Sequence, residues 1–184
     1  MLKNWMRRFH EYAAHPDPRT ALANFVALLI VSNQPFYPLY IVWIAGRPGW
    51  ITLLTLLSAP FYFAVPAVAR RNSALGRVLL CVAGTLNTLL AVWLLGVASG
   101  VGLLYLPCLL IGTTLFAPSE KAAMAICVAL PAAAYFSIDG PADVFTAGQY
   151  AALVKLHAVS AGALIVLIGY RLTAAFAAKS KLPT

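Results

Sequence analysis

Six long apolar runs fill most of this chain, and each is long enough to cross a bilayer as a helix. About 20 mainly apolar residues span a hydrocarbon core of roughly 30 Å. The runs are Ala21 to Ala45, Trp50 to Ala69, Leu75 to Leu95, Val101 to Ala117, Ala122 to Ile138 and Gln149 to Ala175. Short joints such as Gly46-Arg47-Pro48-Gly49 separate them. They are continuous, without the period-two alternation of an outer-membrane barrel strand. At about 21 residues each they use about 126 residues of the 184, which leaves no room for a soluble catalytic domain. Composition agrees: 62% of residues are hydrophobic and 10% charged, where a soluble domain carries roughly a quarter charged. The expected fold is an all-α polytopic membrane protein with six transmembrane helices and the lipid bilayer as its first partner. Soluble enzyme, DNA-binding and disordered classes are excluded.

Basic residues collect on the cytoplasmic side of a membrane protein. Lys3, Arg7, Arg8 and Arg19 precede the first run, Arg70, Arg71 and Arg77 join the second to the third, and Lys121 joins the fourth to the fifth. Arg171, Lys179 and Lys181 close the chain. With both termini cytoplasmic, eleven of the 13 basic residues fall on that side, leaving Arg47 outside and Lys155 within the sixth run. The outer joint before the sixth run carries Asp139 and Asp143. Orientation in a bacterial inner membrane therefore accounts for most of the net charge of +8, and no nucleic-acid partner is implied.

Residues 1–16 form a separate unit. Leu2, Trp5, Met6, Phe9, Tyr12 and Ala13 recur at helical spacing, opposite Lys3, Arg7, Arg8, His10 and Glu11. The pattern predicts an amphipathic helix on the cytoplasmic headgroups, and it equally fits a helix that binds a protein partner. Asp17-Pro18 reads as an N-cap and first-turn pair opening the six-helix domain, 17–175, and 176–184 is a cytoplasmic tail. The first apolar run begins about twenty residues in and is too long for a signal h-region, so it is expected to serve as its own anchor. Cys81, Cys108 and Cys127 lie in three different runs and read as small apolar core residues, with no disulfide expected.

Polar side chains in hydrocarbon mark either helix packing or function. At about 1.5 Å per residue, Asn33 and Asn87 lie roughly 18 Å above the cytoplasmic ends of their runs. Ser58, Cys108 and His157 lie about 12 Å below the outer ends, which is the same level in a core of about 30 Å. The first, second, third and sixth runs thus contribute Asn33, Gln34, Ser58, Asn87, Thr88, Lys155 and His157 to one layer, the candidate ligand-binding residues. Pro35, Pro38, Pro60, Pro107 and Pro131 fall near it. Each removes a backbone donor and frees a carbonyl about a turn earlier, which predicts kinked helices around a small polar cavity. Simple helix-to-helix glue is the other reading of the same residues.

Lys155 shares a helical stripe with Ala152, Val159, Gly162, Val166 and Gly169, whose small members point it into the bundle. About 9 Å below the outer surface, it can equally snorkel outward, toward Asp139 or Asp143. His157 has no histidine partner in any run, since His10 and His15 precede the first, so bis-histidine haem is excluded. Cys108 with His157 is too small a set for a metal site. No carboxylate lies in a run, which removes the counter-ion of a retinal protein and the usual carrier of a proton-coupled transporter. There is no P-loop, no Gly-x-Ser-x-Gly, no His-Glu-x-x-His and no nucleophile paired with a base. The residues point to a non-enzymatic protein with no cofactor and no metal.

From Asn87 to Tyr135 the order is an asparagine in the third run, a Leu-Leu-Gly end, Ala98-Ser99-Gly100, Tyr105-Leu106-Pro107, Leu115-Phe116, Glu120-Lys121 and Ala129-Leu130-Pro131. This quarter of the chain resembles the six-helix membrane input modules that precede class III nucleotide cyclase or histidine kinase domains in bacteria. The resemblance implies a sensor or regulatory module, here followed only by 176–184 rather than by a catalytic domain. Such a module would bind a small-molecule or lipid-like ligand in its polar layer and act on a separate protein partner. A small oligomeric transporter or channel, or an accessory subunit of a larger membrane complex, are the alternatives.

Overall fold

The computed structural model describes residues 2–137 and 144–180, and it is helical throughout its regular structure. The order is α1 (Leu2–Ala13), α2 (Pro18–Asn33), α3 (Tyr37–Ala45), α4 (Ala59–Arg71), α5 (Ser73–Leu95), α6 (Tyr105–Thr114), α7 (Lys121–Ser137) and α8 (Ala147–Ser180). Four 3-10 segments, Gln34–Phe36, Arg47–Ser58, Val97–Ser99 and Val101–Leu104, interrupt or extend them. Four stretches are long and apolar enough to cross a membrane: Pro18–Ala45, Gly49–Arg71, Ser73–Leu95 and Ala147–Ala174. The fourth and fifth expected spans are shorter helices, Val101–Thr114 and Lys121–Ser137. At about 1.5 Å per α-helical and 2.0 Å per 3-10 residue they reach about 23 and 26 Å, short of a core of about 30 Å.

The first two spans are not the continuous helices their apolarity predicts. Pro38 has no N–H to give the Gln34 carbonyl, and Tyr37, the residue before it, donates there instead. Pro60 likewise cannot reach Leu56, and Ala59 takes its place. Each proline thereby converts the preceding turn from i−4 to i−3 bonding rather than leaving a bare carbonyl. In the second span the tighter winding extends over the twelve residues Arg47–Ser58. Three residues per turn stack every third side chain in one column, here Thr52, Thr55 and Ser58. Their hydroxyls donate to the carbonyls of Gly49 (2.6 Å), Thr52 (2.7 Å) and Thr55 (2.8 Å). Thr52 and Thr55 are buried, so the column faces protein.

The core divides in two. One cluster, toward the arginine-rich end, holds Leu22, Val26, Tyr62, Val65, Leu80 and Ile168, with Cys81 and Cys127. The other holds Ile41, Val92, Leu95, Val101, Tyr105 and Leu153. Between the clusters, α2–α3, α5 and α8 carry the buried polar residues Gln34, Thr88 and His157. Cys81, Cys108 and Cys127 are buried free thiols. At Gly76 an added Cβ would lie 2.5 Å from the Cβ of Ala69, so only glycine lets α4 and α5 approach so closely.

The arginine-rich end is tied by named contacts. Asp17 caps α2 as its sequence predicts, accepting from the Arg19 and Thr20 amides. Helix α1 docks there: Tyr12 stacks on Phe63 and bonds its carbonyl, Arg70 lies over the Tyr12 ring, and buried Asn24 donates to Ala13 O. The side chains of residues 1–6, Arg47 and Lys179, together with Asp139, Asp143 and Lys181, lie outside what is described. Arg77, which reads in sequence as a simple topology marker, is buried. It donates to Leu115 O (2.6 Å) and to both Glu120 oxygens (2.6 and 3.0 Å), and Glu120 also accepts from the Ala117 amide.

Burial opposes ionisation of Glu120, but the Ala117 amide and Arg77 outweigh it and hold the carboxyl below its ordinary 4.5. Asp17 is lowered from 3.8 against the same opposition, by Thr20 and the Arg19 amide. A depressed folded-state value contributes stability above the unfolded pKa and loses it as pH falls through the folded one. The Tm in detergent should therefore fall on acidification from about pH 7 to pH 3. Glu120→Gln should lower Tm at neutral pH and flatten the acid limb, while Arg77→Met, which strands the carboxylate, should cost up to about 3 kcal/mol.

Candidate functional site

Four spans meet in the layer between the two apolar clusters. Gln34, at the break in the first span, is 5% exposed and crosses to the second. Its Nε2 donates to Thr55 O at 3.0 Å and to Ser58 Oγ. A carbonyl can only accept, so the Thr55 contact fixes which end of the amide faces it. Ser58 Oγ in turn lies 2.9 Å from Asn87 Oδ1 on α5. One hydroxyl thereby joins the first three spans. Gln34 Oε1, on the other side of the amide, is buried and has no hydrogen-bond partner.

A second relay ties the first span to the last. His157 on α8 is fully buried, with Nδ1 2.8 Å from Ser99 O and Nε2 3.0 Å from the Tyr37 hydroxyl. The Ser99 carbonyl requires a proton on Nδ1, so in the neutral ring Nε2 accepts from Tyr37. Ser99 is held in the Gly96–Gly100 turn, where Gly96 and Gly100 have φ of 79° and 72°. A Cβ on Gly100 would also come within 2.9 Å of Val154 on α8. Glycine at that corner lets the turn sit close enough to offer its carbonyl to His157.

Between these relays lies a cavity of about 650 Å³, lined at its polar end by Asn33, Gln34, Thr55, Asn87, Thr88 and His157. Leu29, Ile30, Ala163, Leu164 and Leu167 extend it toward the arginine-rich end, and Tyr37 and Tyr40 toward the other. Asn33 and Val159 line it while being exposed on the outer surface of the bundle, so it opens sideways between the first and last spans. Thr88 bonds its own helix, at Gly84 O. Among the described residues no group of three or more His, Cys, Asp or Glu could hold a metal ion.

Six of the seven sequence-selected residues, Asn33, Gln34, Ser58, Asn87, Thr88 and His157, come together here, five lining the cavity and Ser58 bonded to two of them. Lys155 does not. It is exposed, as are its stripe-mates Val159 and Val166 at 71% each. A Cβ at Gly162 or Gly169 would touch nothing. The buried stripe of α8 is instead Leu153, His157, Ala161 and Ile168, and Lys155, two residues from both Leu153 and His157, points about 200° away at 100° per residue. Outward placement is the alternative that the structure keeps for Lys155. Sequence reading missed Tyr37, Thr55 and Ser99. The spacing of three in Thr52, Thr55 and Ser58 ahead of Pro60 was the available sign of the 3-10 column.

No family model, curated protein or solved structure matches the chain.

The contacts rank two substitutions. Ser58→Ala removes the hydroxyl that meets both Gln34 and Asn87, and should destabilise by about 1–2 kcal/mol. Lys155→Leu should stay within about 0.5 kcal/mol. Denaturant unfolding of both variants in detergent checks the order, and a reversed order would reassign the tie between spans.

Proposed function

We propose that the chain is a non-enzymatic integral membrane sensor or regulatory module that binds a small or lipid-like ligand in its polar layer. The observation that carries this reading is the side-opening cavity, lined by Asn33, Gln34, Asn87 and His157 at one level and by apolar side chains beyond it. Glue between helices accounts for the contacts among Gln34, Ser58 and Asn87, but not for a cavity of about 650 Å³ beside them. The Tyr37–His157 bond gives such a ligand a route outward: it couples the broken first span to α8, an unbroken helix of 34 residues that ends among the arginines. A separate protein partner or a second copy would receive the change at that end.

In this reading all six apolar stretches cross a bacterial inner membrane, the two short ones with local thinning of the bilayer. Both termini and the arginine-rich end face the cytoplasm. Reporter fusions at each terminus check the orientation, and a terminus found outside would overturn it. A transporter is the second reading, favoured by two spans broken at the level of one cavity, as in carriers with discontinuous helices. Solute flux in proteoliposomes holding only this protein would decide for it.

Native mass spectrometry of the protein released from its own membranes tests the site. A bound small amphiphile is expected on the wild type and on Lys155→Leu, and at least about tenfold less of it on Asn87→Leu. Equal loading of all three variants would overturn the assignment.

A further inference from the structure

The mouth of the cavity lies halfway along the two spans that frame it. Asn33, Phe36 and Tyr40 on the first span and Val159 on the last line it and are exposed. Asn33 and Val159 each stand about 12 to 15 residues from the ends of their spans, Pro18–Ala45 and Ala147–Ala174, which at about 1.5 Å per residue is about 18 Å or more. In a bilayer, acyl chains rather than water or headgroups face an opening at that depth. A guest then enters from within the membrane.

Charge is excluded on two counts. None of the described residues lining the cavity is Asp, Glu, Lys or Arg. The one group there that ionises near neutral pH, His157, has both ring nitrogens engaged. An ion would have to reach the centre of the bilayer and then stay without a counter-charge, and both steps are costly.

A second, smaller pocket lies behind the first. It measures about 90 Å³ and shares Ile30, Asn87, Thr88, Leu104 and Leu164 with the main cavity. Leu80, Cys81, Gly84, Cys108 and Ile111, on α5 and α6, wall it on the inner side. Its hydroxyls are spent within the protein: Thr88 donates to Gly84 O, and the Tyr62 hydroxyl meets Asn87. The remaining wall is aliphatic or thiol, so the pocket suits hydrocarbon. Size decides which kind. An apolar cavity of about 150 Å³ holds a benzene ring, so one of about 90 Å³ holds the end of a chain and no ring. Glycine at 84 keeps the pocket open, because a Cβ there would already lie 3.4 Å from Cys108 Sγ and a longer side chain would fill the space.

We propose that the cavity and the inner pocket form one two-part site for an uncharged lipid, which enters sideways from the centre of the bilayer and seats the slender end of its hydrocarbon chain against Gly84 and Cys108. This rests on the ligand-binding reading above and adds the charge of the ligand, its route and the fit of its chain end.

The test uses the whole protein in nanodiscs and photoprobes that carry a diazirine at the far end of a decyl chain, with labelled residues mapped by mass spectrometry. Decanol with an alkyl diazirine at its tip should label Cys108 or Ile111 at the inner pocket. The same alcohol ending in a phenyl diazirine should label the outer cavity, at Tyr37 or Leu167, and the inner residues at least about tenfold less. Unlabelled decanol should protect all these positions. Decyl sulfate and decyltrimethylammonium, at equal mole fraction in the bilayer, should protect at least about tenfold less well. Gly84→Leu should move the alkyl probe's labels from the inner pocket to the outer cavity, and the comparison of the two probes on the wild type carries the same result if that variant folds poorly. Inner residues labelled equally by both probes, or by neither, would overturn the chain-end fit while keeping the outer site. Equal protection by the charged competitors would overturn the neutral rule. Labels confined to outward-facing side chains such as Leu57 and Trp93, and unchanged by any competitor, would overturn the ligand-binding reading as well.

Discussion

With no water in the hydrocarbon core, every backbone group that a proline sets loose must find its partner inside the protein. The first two spans meet that demand in the same way. Tyr37 and Ala59 donate in place of Pro38 and Pro60, and the resulting i−3 winding puts Thr52, Thr55 and Ser58 on one inward column. Gln34 is the point where the two solutions join, since it lies in one break and donates to a carbonyl and a hydroxyl next to the other. The polar layer is therefore a consequence of how two helices are broken, and the cavity lies where those helices and α8 fail to fill the space.

The layer also explains the divided core. Apolar packing on either side of it is continuous within Leu22, Val26, Tyr62 and Leu80, and again within Ile41, Val92, Leu95 and Leu153. At the level of Gln34, Asn87 and His157, hydrogen bonds replace that packing. Such bonds between membrane helices are individually modest, so the connections at both ends matter. The Arg77–Glu120 pair with the Leu115 carbonyl closes one end, and Gln149 donating to Ala45 O at 3.1 Å closes the other. Cavity walls held by α2–α3, α5 and α8 are thus anchored above and below a layer that is itself weakly packed.

Sequence legibility follows the same physics. Depth along a helix can be counted from an end at a fixed rise per residue, and counting brought Asn33, Gln34, Ser58, Asn87, Thr88 and His157 to one level. The face of a membrane helix is harder, because lipid and protein interior are equally apolar. The stripe Ala152–Val159–Gly162–Val166 is small and apolar whichever way it points, so the inward direction its small members gave Lys155 had little force, and the structure turns it outward. Prolines announced that the spans deviate, but the form of the deviation depended on the hydroxyls three residues apart. Ser99 was unreadable as a site residue because its carbonyl, not its side chain, meets His157. Arg77 read as a topology marker because its pairing with Glu120 joins residues 43 apart in the chain.

Charge placement sharpens what the layer is for. The chain carries 13 Lys and Arg against 5 Asp and Glu, and the described ion pair with a buried member, Arg77–Glu120, sits at the end of the bundle rather than in the cavity. A site for an ion or a charged metabolite would need at least one of those groups facing the ligand, because hydrocarbon around a lone charge costs more than a few hydrogen bonds return. Neutral amides, hydroxyls and a doubly bonded imidazole line the cavity instead, so under the proposed ligand-binding reading a neutral guest enters it at far lower cost than an ion.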